Sequence, residues 1–459
     1  MRRLSVLTVI VMAGFLTGCQ GQTGTTPVDN PNVIIMFADD MGYGDWSRGG
    51  HPTIRTPNMD RMAAEGVHLT QFYSGNPVCS PSRSSLLTGR HNARTGVIQV
   101  FFPGYGNGMA PKEVTIAEML KPMGYATACI GKWHLGSTEP YRPLDQGFDY
   151  YWGLLYSNDM YRPDLWRNNE RIEHPTDQRT LTKRATEEAV AFIERSKDEP
   201  FFLYVPYSMP HVPIFASDNF VDTSTRGLFG DVIEEIDWSA GQILDAVDRL
   251  GLSENTLVMF TSDNGPWGSQ RTHGGTAGPL RGAKGDTWEG GMREPFLARW
   301  SGQIPGGTVS HEIGSVLDFL PTVAKLTGGE IPTDRPIDGV DLMPALTGGE
   351  MPERPIYYYR GEHLNAVRLG QWKLHFRTYG GTLNQYGGDR WTQLDKPALY
   401  DLHEDVSERF DVAAKYPNVV GQLTQLADDF KAEIDRNGEN RDLWDFFVND
   451  ANSTPKIGE

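Results

Sequence analysis

The chain has 459 residues, 39% of them hydrophobic and 22% charged, with 51 glycines and 30 prolines; this suffices for a large core and points to a loop-rich enzyme rather than a helical bundle. A formal net charge of −17 argues against a nucleic-acid-binding surface and favours solubility. It leaves room for an anionic substrate, because local cations in a cleft can outweigh the global field.

Arg2 and Arg3 precede an apolar run, Leu4 to Leu16, that is too short for a comfortable membrane span. Leu16-Thr17-Gly18-Cys19 resembles a bacterial lipobox. The expectation is a lipoprotein signal peptide over 1–18, lipidation at Cys19 and a flexible Gly/Thr-rich tether over 19–30. A plain secretory signal is the alternative. The protein is then exported, faces the periplasm or cell surface, and touches the membrane only through its lipid. Cys19, Cys79 and Cys129 are the only cysteines; if Cys19 carries lipid and Cys79 is modified, Cys129 is left alone and no intramolecular disulfide is expected.

Asn32 to Ala38 is a continuous apolar run ending in Asp39-Asp40. Continuous apolarity predicts a central strand buried on both faces, and its C-terminal end is where open α/β sheets place their sites. Helices are predicted over Asn58–Glu65 and Thr115–Lys121. Between them, Cys79-Ser80-Pro81-Ser82-Arg83 opens a short helix that Gly89 ends, and the residue order resembles a residue-conversion signal. A cysteine at a helix start is notable because the dipole there favours an anion.

A strand over Ala126–Ile130 leads into Gly131-Lys132-Trp133-His134. The stretch from Tyr150 to Pro175 reads as irregular. Helices at Leu181–Lys197 and Asp231–Leu250 flank a strand at Phe201–Val205 that leads to His211. Thr256 to Ser262 repeats the opening pattern and ends in Asp263-Asn264. After Glu353, short strands at 355–359, 366–368, 372–376 and 398–402 precede a helix near Val419–Arg436. The predicted fold is α/β: a large mixed, mostly parallel sheet sandwiched by helices over 31–350, with a smaller C-terminal α+β subdomain over 351–459 carrying a short antiparallel sheet.

Two matching strand ends supply Asp39, Asp40, Asp263 and Asn264, hard oxygen donors that suit Ca²⁺ or Mg²⁺ rather than Zn²⁺. Lys132, His134, His211 and Lys284 follow apolar strands or glycine-rich turns. Beside a dication they make a cationic pocket for an anion such as sulfate or phosphate.

The motifs together resemble the type I sulfatases, the formylglycine-dependent branch of the alkaline-phosphatase-like superfamily. The match lies in Cys79-Ser80-Pro81-Ser82-Arg83 with Leu86-Leu87-Thr88-Gly89-Arg90, and in Gly124-Tyr125 through Gly131-Lys132-Trp133-His134-Leu135-Gly136. Ser262-Asp263-Asn264-Gly265 and Glu289-Gly290-Gly291-Met292-Arg293-Glu294-Pro295 extend it. The resemblance implies that a maturation enzyme oxidises Cys79 to formylglycine, whose hydrate is the nucleophile. It implies one Ca²⁺ held by Asp39, Asp40, the modified Cys79, Asp263 and Asn264. Arg83 steadies the formylglycine, Lys132 and Lys284 hold sulfate oxygens, His134 deprotonates the second hydroxyl and His211 lies near the leaving oxygen. Ser157 resembles a sulfate-contacting serine of arylsulfatase A.

The C-terminal stretches Tyr357–Gly361 and Leu369–Phe376 resemble N-acetylgalactosamine-6-sulfatase. The expected substrate is a sulfated, galactose- or galactosamine-containing glycan. Candidate sugar contacts, besides Ser157, are Asn158, Asp159, Arg162, Trp166, Arg271, His273, Arg360 and His363. The alternatives are a phosphodiesterase or phosphonate monoester hydrolase of the same superfamily, and an inactive glycan-binding surface lipoprotein.

Overall fold

The computed structural model describes residues 30–160, 162–379, 391–437 and 440–449. The expected leader, Cys19 and all but the last residue of the tether lie outside the described residues. No helix among the described residues is long and apolar enough to cross a membrane.

Ten strands form the main sheet: β1 (Asn32–Ala38), β2 (Val67–Tyr73), β3 (Ala126–Lys132), β4 (Tyr150–Leu154), β5 (Leu165–Arg167), β6 (Glu170–Glu173), β7 (Phe201–Pro206), β8 (Thr256–Ser262), β9 (Arg293–Arg299) and β10 (Thr308–Ser315). Their spatial order is β10-β2-β9-β8-β1-β7-β3-β4-β5-β6. The run β8-β1-β7-β3-β4 is parallel throughout. β9 is antiparallel to both its neighbours, and β5 and β6 close the other end as an antiparallel ribbon.

Alternation along β1 shows why its sequence is continuously apolar. Val33, Ile35 and Phe37 enter one core, and Ile34, Met36 and Ala38 enter the other. Each fully buried side chain of this kind contributes about 1.5–3 kcal/mol, so the strand is anchored from both faces.

The predicted elements form with small shifts. The first site-bearing helix spans Cys79–Thr88 and ends at Gly89, whose φ of 65° lets its N–H reach the Ser85 carbonyl. The long helix begins at Leu228, a turn earlier than expected. Besides the strands of the 150–175 stretch, three more were not anticipated. In β9 the charges of Arg293 and Glu294 and the ring of Pro295 hide the strand; the ladder to β2 is irregular at Pro295, where a missing N–H is tolerated. β2 and β10 mix polar and apolar residues without a clean period.

The stretch from Tyr150 to Pro175 is corrected. It is not irregular throughout but contributes β4, β5 and β6. Tyr151, Trp152 and Leu154 are buried against β3; their aromatic bulk disguised a core strand as a loop.

A second sheet, β11 (Ile356–Arg360), β12 (His363–Leu369), β13 (Trp372–Tyr379) and β14 (Trp391–Asp401), is antiparallel. The helix Pro417–Asn437 packs on it. Charge as well as apolar packing joins it to the main sheet. Glu289 is fully buried and accepts from Lys373 Nζ on β13 at 2.9 Å, from Tyr358 OH on β11 at 3.2 Å and from Tyr73 OH on β2 at 2.5 Å. Burial alone would raise this carboxyl, but Lys373, Arg368 and Arg293 hold it well below the usual range. Lys373 also meets Glu408 at 3.1 Å. Replacing Lys373 by Ala removes the buried cation shared by Glu289 and Glu408 and is expected to cost about 3–5 kcal/mol. Replacing Lys325, whose pair with Asp341 is exposed, costs at most about 1 kcal/mol; urea unfolding of the two variants measures the contrast.

Candidate active site

All the sequence-predicted chemistry except its outlying sugar contacts converges at the C-terminal edge of the parallel strands. Ala38 pairs with Ser262, so Asp39 and Asp40 leave β1 beside Asp263 and Asn264 leaving β8. The Asp263 N–H donates to the Ala38 carbonyl at 3.0 Å, and the Asp40 N–H to Asp263 Oδ1 at 3.2 Å. Asp40 adopts a φ of 68°, a conformation Asp tolerates better than most residues. It turns the chain so that neighbouring carboxylates face one centre.

Cys79 begins its helix 2% exposed, with Sγ 3.5 Å from Asp39 Oδ1 and 3.5 Å from Lys284 Nζ. One donor atom each from Asp39, Asp40, Cys79 and Asp263 lies within 4.8 Å of the others. The Asn264 amide Nδ2 donates to Asp40 Oδ1 at 2.8 Å, while its Oδ1 is buried with no partner. Buried polar atoms are rarely left unmatched. This orphaned oxygen, beside three carboxylates, fits a hard divalent cation with oxygen ligands.

Three cations answer the three carboxylates. Arg83 Nη2 lies 2.7 Å from Asp263 Oδ2 and 3.4 Å from Asp39, and its Nη1 donates to the Lys132 carbonyl at 2.9 Å. Lys132 Nζ lies 2.6 Å from Asp39 Oδ2. Lys284 Nζ lies 2.6 Å from Asp40 Oδ1. Burial would raise the Asp39 carboxyl, yet Lys132, His211, Arg83 and Lys284 hold it well below its usual range. Burial pushes the Cys79 thiol far up despite the two lysines.

Lys132 Nζ also donates to Ser157 Oγ at 3.2 Å, and Ser157 Oγ lies 3.5 Å from His211 Nδ1. His211 Nδ1 faces two acceptors, the Val212 carbonyl at 2.6 Å and Asn158 Oδ1 at 3.1 Å. Nδ1 therefore carries a hydrogen, and Nε2, 3.8 Å from Asp40 Oδ2, is the nitrogen turned to the site. Burial, then Lys284, lowers the His211 pKa well below the imidazole range. His134 has a φ of 61° and bonds the Phe101 carbonyl through Nε2 at 3.0 Å, which leaves Nδ1 buried without a partner. Burial, then Lys132, lowers its pKa too.

The expected sugar contacts divide. Ser157 is in the site. Asn158 is buried, and its Nδ2 is spent on Gln178 Oε1 and the His211 and Pro213 carbonyls; it orients His211 and is not free to meet a sugar. Asp159, Arg162, Arg271 and His273 are exposed. Trp166 is half-buried on β5. Arg360 donates to Gln99 Oε1 at 2.8 Å, whereas His363 lines a separate groove on the C-terminal sheet.

The model for the sulfatase family matches residues 31–329, and that for the C-terminal region of aryl-sulfatase matches 351–451. The chain belongs to the sulfatase family. It is a sulfuric ester hydrolase. N-acetylgalactosamine-6-sulfatase of Canis lupus familiaris is 40% identical over 443 residues, covering 86% of this chain and 85% of the relative. Human arylsulfatase A is 38% identical over 453 residues, covering 88% of each. A sulfatase from Pseudoalteromonas sp. superposes with a TM-score of 0.81 at 28% identity, covering 89% of this chain and 91% of that one.

One residue of this sulfatase site escaped the sequence reading. The Trp267 ring lies 5.2 Å from the His211 ring, and Lys284 Nζ stands 4.6 Å above it. Its signal was available: an aromatic residue two positions past the Asn264-Gly265 strand end. Asn158→Ala is expected to lower kcat about 10–100-fold with KM little changed, because His211 loses its orientation; steady-state kinetics beside a thermal melt separates this from unfolding.

Proposed function

We propose that this sulfatase removes sulfate from carbohydrates, most directly from galactose- or galactosamine-containing glycans, using a formylglycine made from Cys79 and one Ca²⁺. The observation that carries the catalytic part is the setting of Cys79. Cys79 is buried away from solvent, yet it stands at a helix start between Asp39 and Lys284. That position suits a converted residue better than a working thiol. The glycan preference is supported by the likeness to N-acetylgalactosamine-6-sulfatase along both sheets.

Asp39, Asp40, Asp263, Asn264 and the converted Cys79 would hold the cation. A dication there withdraws charge from sulfate oxygens and orients the sulfur. The formylglycine hydrate supplies a nucleophilic hydroxyl and a second hydroxyl that an ordinary serine lacks. Around it, Lys132 and Lys284 offer ammonium protons to the sulfate oxygens, and Ser157 sits within reach of Lys132. His134 presents an unoccupied Nδ1 as a proton acceptor. His211 Nε2, with Lys284 beside it, faces the side from which the alcohol departs. Arg83 binds no substrate; it fixes Asp263 and the Lys132 backbone.

A maturation enzyme that oxidises Cys79 belongs to the same proposal, as does export with a lipid on Cys19. Export would place the enzyme where polymeric glycans are met.

Cys79→Ser is expected to take up sulfate once and then turn over at least about a hundredfold more slowly; intact-protein mass after mixing with substrate and steady-state sulfate release test it. Sustained turnover by this variant refutes the role of the second hydroxyl. Chelation is expected to lower both the melting temperature and sulfate release, and Ca²⁺ at about 100 times its Kd should restore about 2.7 kcal/mol of stability. Asp263→Ala should show no such Ca²⁺ response. A screen of defined sulfated saccharides against aryl sulfates checks the substrate class: cleavage of aryl sulfates alone would sink the carbohydrate reading.

A further inference from the structure

Beside the catalytic cluster, past the end of β4, lies a cavity of about 200 Å³ whose wall includes Ser157. That is below the roughly 300–1,000 Å³ of drug-sized pockets, room for one sugar ring rather than a chain. Its other walls include Ser137, Tyr156, Arg162, Asp164 and Trp166. Ser157 Oγ accepts from Lys132 Nζ at 3.2 Å, so one residue of the cavity wall also belongs to the catalytic cluster.

The walls are built to stay in place. Ser137 Oγ donates to Tyr156 OH at 2.9 Å. Arg142 lies 5.6 Å from the centre of the Trp166 ring and donates to the Ser137 carbonyl at 2.8 Å, so one guanidinium props both sides. The acid in the wall is already matched, since Asp164 pairs with His174 and Arg171. Arg162 differs. It makes no ion pair among the described residues, and its backbone takes a φ of 42°, a conformation that costs free energy for a residue with a side chain. An exposed cation with no ion pair among the described residues, lining the same cavity as a half-buried indole, is the equipment for a ring that carries negative charge.

We propose that this cavity is a subsite for a second anionic group of the substrate, a carboxylate or a further sulfate within one ring of the ester being cleaved, held by Arg162 with Trp166 as the packing surface. This rests on the carbohydrate reading above and sharpens it: the preferred glycan carries charge on or next to the sulfated sugar. Arg162 reads the charge, and Trp166 takes the apolar face of the ring.

Three probes test it: galactose 6-sulfate, the same sugar with a second sulfate, and a disaccharide in which a uronate neighbours the sulfated sugar. The two doubly charged probes separate the possible sources of the anion. In Arg162→Ala, the kcat/KM ratio of a doubly charged probe to galactose 6-sulfate is expected to fall about tenfold, mainly through KM. Arg162→Lys should recover most of that ratio, which a purely structural role would not produce. Trp166→Ala should weaken the probes whose ring fills the cavity. An unchanged ratio in Arg162→Ala, or an equal fall on all three probes, overturns the subsite while the carbohydrate reading stands. If the wild-type enzyme cleaves aryl sulfate and none of the three sugars, the carbohydrate reading falls and the subsite with it.

Discussion

Three carboxylates buried together at the end of a parallel sheet are the constraint on which the rest of this structure depends. Asp39, Asp40 and Asp263 are each at most 2% exposed, and each buried ion costs several kcal/mol of lost hydration. Arg83, Lys132 and Lys284 offset that cost at contact distance. The formal charges of the three acids and three cations cancel. A divalent cation added to this set leaves the site positive, which suits an anionic ester. Removing any one member leaves an unmatched charge in a dry place, so the chemistry and the stability of this edge share the same residues.

The sheet order does the assembling. β8, β1, β7, β3 and β4 lie side by side and parallel, so their C-terminal ends deliver the Asp263-Asn264 pair, the Asp39-Asp40 pair, His211, Lys132 with His134, and Ser157 to one place. The remaining members arrive on other supports. Cys79 and Arg83 come one turn apart on a fully buried helix. Lys284 comes on a loop, tied through its own N–H to the Pro266 carbonyl and through the Gly285 N–H to the Pro77 carbonyl. Those two bonds bind the loop to the segments just after β8 and just before Cys79. Strand ends, a buried helix and a tied-down loop thus carry the charged cluster, while Arg162 and Arg271 lie on more exposed segments.

The C-terminal sheet is held by a second buried charge cluster around Glu289. Glu289 and Arg293 lie in the main domain; Lys373, Arg368 and Tyr358 come from the small sheet. Neither group can be hydrated where it sits, so each sheet needs the other. This coupling gives the Glu289-Gly290-Gly291 stretch a structural task distinct from the reacting centre, although Glu289 lies only 25 positions after Asn264.

Much of this was legible in the chain itself. A strand buried on both faces must be apolar at every position, so β1, β7 and β8 stand out, and the acids that follow β1 and β8 mark the site. Cys79, Lys132 and His134 are carried by long local motifs, and a resemblance in local motifs needs no tertiary knowledge. What depended on neighbours far along the chain was not legible. β9 looked unlike a strand because the partners that neutralise Arg293 and tolerate Pro295 come from elsewhere. Tyr150 to Leu154 looked like a loop because only packing against β3 gives its aromatics a core. Asn158 passed for a sugar contact because nothing in the sequence shows that its amide is spent on Gln178, His211 and Pro213. Sequence alone determined which groups could do the chemistry. Tertiary structure decided which of them face the centre, because hydrogen-bond partners and burial are set by residues distant in the chain.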